Sequence, residues 1–288
     1  MARARKRTAA FKKAYRFARK VFIKFSDDRG NMLAAGLSFY ALISLAPLLL
    51  LAAGIFAHLL GSPQSAYTQV SHYISRLSPA LVQEKGTGIR DLLQQLIAGK
   101  DIAWGIGGVG LAWSASQLFV SLETAMNLVW KARERRGFIK KRLIAFGMIL
   151  IVGMLFLVAM GISTAAHIVR NWELPALGLR PADVTFAWNV LAAALPPFLA
   201  FLMFLVVYQV MPNSVVPFRC AAVGAATSAA LWEIARGLFG WYAVSFADFN
   251  RIYGPITIVI VLALWIYYSA LVSILGAEVG AVYKEEAG

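Results

Sequence analysis

The strongest constraint on this chain comes from five long stretches that contain no charged residue. They are residues 30–75, 102–122, 143–169, 184–218 and 252–277. Because about 20 apolar residues span the hydrocarbon core of a bilayer, each stretch is long enough to hold a transmembrane helix. Hydrophobic residues make up 60% of the chain, whereas soluble domains contain roughly 45–50%. The sequence therefore predicts a membrane protein.

A sixth segment reaches spanning length only if Glu233 and Arg236 lie inside the membrane. With this segment included, we predict an all-α, polytopic membrane protein with six transmembrane helices, an N-terminal amphipathic helix and a helical outside loop. The predicted helices cover about 32–60, 102–124, 143–167, 185–210, 220–242 and 255–278. They form a transmembrane domain over 31–280, with the outside loop at 61–101, a cytoplasmic basic segment at 1–30 and a cytoplasmic tail at 281–288.

The net charge of +14 is concentrated in two segments of the chain. Residues 1–29 carry eleven Lys or Arg and two Asp, and residues 131–142 carry seven basic residues and one acidic residue. Both segments are cytoplasmic in a six-helix topology whose N-terminus is inside, as the positive-inside rule requires. The charge therefore indicates membrane orientation, with both termini in the cytoplasm, rather than nucleic-acid binding.

Motifs for catalysis and for metal binding are absent from the sequence. Cys220 is the only cysteine, which excludes a disulfide framework and a CxxC metal site. The three histidines, His58, His72 and His167, belong to no HxH or HExxH string, and no nucleophile–base constellation is recognisable. We therefore expect no enzymatic activity, no catalytic residue, no metal and no cofactor.

Residues 9–25 are predicted to form an amphipathic helix. One sector collects the apolar side chains Phe11, Ala14, Tyr15, Ala18, Val21, Phe22 and Phe25. The opposite sector carries the cations Lys12, Lys13, Arg16, Arg19, Lys20 and Lys24. Such a helix lies in the headgroup plane with its cations towards anionic lipid. The alternative is an RNA-binding arm, and we favour the lipid surface because the helix leads directly into a transmembrane segment.

Glu233 and Arg236 are the leading candidates for an intramembrane polar site. Their i, i+3 spacing puts both side chains on one helix face. A charge at the bilayer centre costs about 2.5–3.5 kcal/mol on insertion scales, so such residues usually face a bundle interior. The pair either binds a substrate, an ion or a proton, or locks two helices together. Further candidates are Ser114, Gln117, Glu123, Asn127 and Glu278. For the two glutamates, the interpretation we favour is a solvated cytoplasmic helix end rather than a site.

Several strings of the sequence resemble the YihY/BrkB family of bacterial inner-membrane proteins. They are AAGLSFYALISLAPLLLL (34–51), GLAWSASQLFVSLETAMNLVWKAR (110–133), LWEIARGLFGWY (231–242), YGPI (253–256) and WIYYSALVSILGAE (265–278). The resemblance runs over roughly residues 20–283. It implies a six-helix plasma-membrane protein with cytoplasmic termini. The family also carries an old ribonuclease BN label, but the sequence lacks the clustered histidines and carboxylates that a metal-dependent ribonuclease needs.

Two functions are compatible with these patterns. The first is transport, or solute or lipid handling linked to envelope integrity, because polar residues interrupt the second and fifth segments and prolines interrupt the first and fourth. The second is a non-transporting envelope scaffold that works through its outside loop and its basic surface. The expected partners are the lipid bilayer, its anionic headgroups and an unidentified solute or lipid. A second copy of the chain is a further candidate, and nucleic acid is not.

Overall fold

The computed structural model describes residues 2–59, 100–133, 136–171, 181–245 and 256–287. Within these ranges the chain is helical and contains no strand. The helices are α1 (Ala2–Asp27), α2 (Gly30–Leu59), α3 (Lys100–Val129), α4 (Phe138–Asn171), α5 (Pro181–Val210), α6 (Phe218–Ser245) and α7 (Ile256–Ala287). The all-α prediction is confirmed for the described part of the chain.

The six helices that follow α1 each overlap one predicted transmembrane segment. Among the described residues, two helical segments are long and apolar enough to cross a membrane, Ala193–Val210 in α5 and Val259–Ala287 in α7. Only 22% of each segment is buried inside the protein, whereas the core helix of a soluble protein is mostly buried. The total of six spanning helices stays a prediction. Residues 61–99 of the predicted outside loop lie outside the described residues.

Helix α4 carries a continuous exposed apolar stripe. Its members recur at helical spacing and are Leu143, Phe146, Leu150, Met154 and Leu157. Residues three and four positions apart stack on one side of a helix, so these side chains form a single surface. Soluble monomers rarely expose a contiguous apolar surface of this kind. The stripe is therefore typical of a helix that faces lipid.

The chain divides into two compact units. Unit 1 consists of Met1–Leu37, Phe119–Ser245 and Tyr267–Gly288, and unit 2 consists of Ser38–Leu118 and Phe246–Ile266. Inside unit 1, α5 packs against both α4 and α6.

In unit 2, α2 and α3 approach each other closely. A Cβ atom added to Gly110 of α3 would lie 3.3 Å from Pro47 Cβ of α2, so the missing side chain lets these helices meet. Pro47, and Pro196 and Pro197 of α5, all lie inside helices that continue on both sides of them.

Candidate functional site

A buried ion pair connects α1 to α7 inside unit 1. Lys24 Nζ lies 2.6 Å from Glu278 Oε2, and the exposed fractions of the two side chains are 11% and 0%. The same ammonium group donates to Asp28 Oδ2 at 3.0 Å and to the main-chain carbonyl of Val129 at 2.8 Å. Val129 is the last residue of α3. We call Lys24, Asp28, Glu278 and this carbonyl the Lys24 cluster, and it joins three helices.

Two tight turns lie next to the Lys24 cluster, one after α1 and one after α3. The turn after α1 passes through Arg29, whose φ is 53°, and α2 begins at the next residue, Gly30. A Cβ at Gly30 would collide with the ring of Phe25, so only glycine fits there. The turn after α3 likewise uses a left-handed residue, Lys131, with a φ of 51°. A cation near the carbonyl end of a helix is favourable, which explains why the Lys24 ammonium is found against the end of α3.

Two carboxylates are buried in unit 1 with hydrogen-bonding capacity that the described residues leave unused. Glu123 of α3 is 1% exposed and Glu278 of α7 is fully buried. One oxygen of each, Oε1, makes no hydrogen bond to any described residue. A buried polar atom without a partner is costly, and it calls for a proton, an ion or a ligand as explanation. The structure therefore does not place either glutamate at a solvated helix end.

A hydroxyl network links α5, α6 and α7 in the same unit. Tyr208 Oη donates to the main-chain carbonyl of Ser273 at 2.6 Å and lies 2.6 Å from Ser228 Oγ. Tyr208 and Ser228 are both fully buried. The network sits beside a close contact of α6 with α7, where a Cβ added to Gly276 would meet Ser228 Oγ and, at 2.8 Å, the carbonyl oxygen of Gly224. No charge or motif marks this network in the sequence, because Tyr208, Ser228 and Ser273 stand among apolar residues.

The predicted pair of Glu233 and Arg236 forms within α6, but it lies on an exposed surface of the helix rather than facing the bundle interior. Arg236 Nη2 lies 2.6 Å from Glu233 Oε2, with exposed side-chain fractions of 56% for the arginine and 25% for the glutamate. The neighbouring Ile234 and Leu238 are also exposed. The pair therefore occupies an outward, largely apolar face of α6, whereas Lys24 and Glu278 form the buried pair.

Two of the three remaining predicted polar residues, Ser114 and Asn127, make hydrogen bonds to the main chain. Ser114 is buried in unit 2, and its hydroxyl donates to the carbonyl of Gly110 at 2.8 Å. Gln117, one turn later, is partly buried. Asn127 Oδ1 accepts a hydrogen bond from the main-chain N–H of Asn213 at 2.7 Å, which fastens the α5–α6 connection to α3. None of these three side chains belongs to the Lys24 cluster as defined above.

The structure corrects the set of cations predicted to meet lipid. Lys12, Lys13, Arg16 and Arg19 are exposed, as expected for that role. Lys20 is exposed as well, and its Nζ lies 2.7 Å from Glu286 Oε1. Lys24 is excluded from the set because its ammonium is buried against Glu278.

A second lysine–glutamate pair near the Lys24 cluster is exposed. Lys131 Nζ donates to Glu285 Oε1 at 3.1 Å, and the two side chains are 70% and 52% exposed. The hydrogen bond to Glu285, together with the negative charge of that carboxylate, raises the pKa of Lys131. Since both groups are well solvated, this pair contributes little to stability. It is a natural control for the buried pair.

Comparison with known proteins identifies the relatives of this chain. A family model described as "Virulence factor BrkB" matches residues 21–288. A UPF0761 membrane protein of Vibrio campbellii is 26% identical over 262 residues, which cover 91% of this chain and 80% of the relative. A protein with the same name from Vibrio atlanticus is 27% identical over 272 residues, covering 94% and 83%. No solved structure matches the chain.

The resemblance predicted from sequence strings is therefore confirmed. The family model extends over nearly all of the chain, and the relatives are named as membrane proteins. The exposed apolar stripe of α4 and the two long apolar helical segments agree with those names. The chain is an integral membrane protein and belongs to the BrkB virulence factor family.

Proposed function

We propose that this protein is a transporter or lipid-handling protein of the bacterial inner membrane, with a polar site that contains Glu123 and the Lys24 cluster. The observation that carries the proposal is the burial of two carboxylates, each with an oxygen that no described residue satisfies. Ionisable residues within a membrane domain are costly, and they commonly mark substrate, ion or proton pathways. An unsatisfied carboxylate oxygen is a suitable acceptor for a cation or a donor group of a substrate.

The Lys24 ammonium can exist in two states, either paired with Glu278 or bonded only to its two other acceptors. When Glu278 takes up a proton or binds a cation, its ion pair with Lys24 weakens. The ammonium then still has two acceptors, Asp28 and the Val129 carbonyl. Glu278 belongs to α7, whereas Asp28 lies in the turn after α1 and Val129 ends α3. The exchange would therefore remove the buried ion pair between α1 and α7 and leave the exposed contact of Lys20 with Glu286. Binding at Glu278 would thereby be coupled to helix movement.

The proposal includes an orientation and a physiological setting. The basic segments 1–29 and 131–142 support a multi-pass arrangement with both termini in the cytoplasm. The matching family is described as a virulence factor, and a role in envelope integrity would connect that description with transport. Glu233 and Arg236 are a second polar site in this proposal, on the outward face of α6.

Reconstitution into liposomes tests the transport function. Wild type is compared with Glu123→Gln and Glu278→Gln, and Glu285→Gln serves as the control because that carboxylate is exposed on the same helix as Glu278. Ion flux, proton flux and lipid scrambling are measured on each preparation. We expect wild type to be active in one assay and both buried-site variants to lose at least about tenfold, equivalent to about 1.4 kcal/mol. The control is expected to retain its rate.

An envelope scaffold is the alternative function, and the joining of three helices by the Lys24 cluster favours it. A folded wild-type protein that is silent in all three assays would contradict transport and support the scaffold. The double variant Glu233→Leu/Arg236→Met examines the second site. Retained activity in that variant would remove Glu233 and Arg236 from the transport site.

A further inference from the structure

The structure divides the side chains of α1 into two stripes that differ from the sectors predicted from sequence. The inner stripe contains Phe17, Val21, Lys24 and Phe25, and it continues to Asp28 in the turn that follows the helix; all five are buried or partly buried. The outer stripe contains Lys12, Tyr15, Arg16, Arg19, Phe22 and Ile23, all of which are exposed. Residues three or four positions apart stack on one side of a helix, so each set forms a continuous surface. The predicted apolar sector is thus split between the protein interior and the outside.

We propose that the outer stripe is a docking surface for a membrane leaflet rich in anionic lipid. Phe22 and Tyr15 are 71% and 63% exposed, a large aromatic area to leave in water. Cations lie between the aromatic residues on the same stripe, at Arg16 and Arg19. A bilayer interface accommodates this mixture, because aromatic rings insert among the headgroups while long cationic side chains extend to the phosphates.

Charge and position both favour lipid as the occupant of this surface. The outer stripe contains three cations, and the one acidic residue next to it is Asp27, a turn after Ile23 at the end of α1, whereas Asp28 lies on the inner side. Juxtamembrane basic segments of this kind are attracted to anionic lipid. The apolar helix α2 begins at Gly30, only eight residues after Phe22, so the stripe lies close to a membrane-embedded segment. Because the stripe adjoins that segment, we expect its occupant to be lipid rather than a soluble partner.

A single-cysteine label on the full-length protein tests the docking surface. Cys220 is the only native cysteine and is buried, so a cysteine introduced at Phe22 can be labelled selectively with an environment-sensitive fluorophore. Ala14→Cys is the matched control, since Ala14 is exposed on the same helix but is not three or four positions from any member of the outer stripe. Each labelled protein is reconstituted into phosphatidylcholine vesicles with and without phosphatidylglycerol. Quenching is measured with brominated lipid chains and with aqueous iodide.

In vesicles with phosphatidylglycerol, we expect bromolipid to quench the Phe22 label several-fold more than the Ala14 label, and iodide to quench the Phe22 label less. Adding Arg16→Gln and Arg19→Gln is expected to abolish the difference. High salt should weaken it, because exposed charges are screened. If Phe22→Cys folds poorly, the measurement is repeated with Tyr15→Cys, on the same stripe, in a Cys220→Ala background.

Three results would overturn the proposal. Equal iodide quenching at Phe22 and Ala14 in both vesicle types would show that the outer stripe stays in water. Protection of Phe22 from iodide without bromolipid quenching would indicate a second copy of the chain as the occupant. Protection that appears only when RNA is added would indicate a nucleic-acid arm. These readouts do not depend on transport, so the two proposals can fail separately.

Discussion

At the scale of single residues, the charges of Lys24 and Glu278 neutralise each other in the protein interior. Replacing either residue is therefore expected to destabilise the protein strongly. Lys24→Met leaves the Glu278 carboxylate buried without its cation. Breaking a buried pair in this way lowers the free energy of unfolding by about 3–5 kcal/mol. Denaturant unfolding of the purified protein in detergent, followed by tryptophan fluorescence, measures the change.

The exposed pair provides the control for that measurement. Lys131→Met removes the contact with Glu285 and is expected to cost less than about 1 kcal/mol, because both groups are solvated. The double variant Lys24→Met/Glu278→Gln should regain part of the stability that Lys24→Met loses. Equal costs for Lys24→Met and Lys131→Met would contradict the burial of the Lys24 cluster.

Tyr208 tests the hydroxyl network at the same scale. Tyr208→Phe keeps the buried ring but removes the hydrogen bond to the Ser273 carbonyl and the contact with Ser228. Hydrogen bonds between membrane helices average about 0.6 kcal/mol and reach about 1.7 kcal/mol, so we expect a loss within that range. Tyr268→Phe, at an exposed position of α7, should leave the unfolding midpoint unchanged. A midpoint for Tyr208→Phe that equals wild type would argue against the network.

At the scale of helices, the contact of α6 with α7 depends on the absence of side chains. A Cβ at Gly276 would meet Ser228 Oγ and the Gly224 carbonyl, and main-chain atoms cannot move aside cheaply. We expect Gly276→Ala to separate the helices and to lower the free energy of unfolding by about 1–3 kcal/mol. Gly147→Ala in α4 has open space around the new methyl group and should be neutral or stabilising by up to about 1 kcal/mol. The opposite order of the two variants would refute the close contact.

The carboxyl end of α5 is held by one arginine. Arg136 donates from both terminal nitrogens to the carbonyls of Val210, Met211 and Pro212, at distances of 3.1–3.3 Å. These are groups that the end of a helix leaves without partners. Lysine cannot reproduce the planar fork, so we expect Arg136→Lys to cost about 1–3 kcal/mol of unfolding free energy. Arg133→Lys, at an exposed position, is the control, and an equal effect of both would mean that only charge matters.

The sequence predicts where the helices lie along the chain more readily than which helices and residues contact each other. Charge-free stretches locate α2 and α7 because a membrane-spanning helix excludes charge, and those limits are local properties of the chain. The burial of Lys24 is not local, since its partner lies 254 positions away. Periodicity alone assigned Lys24 to the polar sector of α1, and only the i, i+4 spacing to Asp28 hinted at a paired lysine.

The candidate site was partly within reach of sequence reasoning. Glu123 and Glu278 were identified as polar residues of apolar segments, but their spacing could not separate a buried group from a solvated helix end. The conspicuous pair Glu233 and Arg236 is held together within one helical turn. Such a local pair forms whichever way the helix faces, so spacing could not predict its exposure.

At the scale of the whole molecule, α1 is an integral part of unit 1 rather than a detachable surface anchor. Deleting residues 2–27 removes Lys24 and leaves Glu278 unpaired, so we expect the protein to lose its monodisperse peak in size-exclusion chromatography. Adding Glu278→Gln to the deletion should partly restore that peak, because a neutral amide is cheaper to bury than an unpaired carboxylate. Deletion of residues 2–11 keeps Lys24 and serves as the control. A monodisperse 2–27 deletion would contradict the role of α1.

The separation of Lys24 from Glu278 also bears on how the protein is made. Helix α1 leaves the ribosome early, whereas α7 is inserted after almost all of the other helices. During that interval the acceptors that the structure offers the Lys24 ammonium are Asp28, in the turn after α1, and, once α3 is in place, the Val129 carbonyl. A chain that ends before α7 lacks Glu278, so Lys24 has no carboxylate from that helix to pair with. The buried ion pair can therefore form only after α7 has been synthesised.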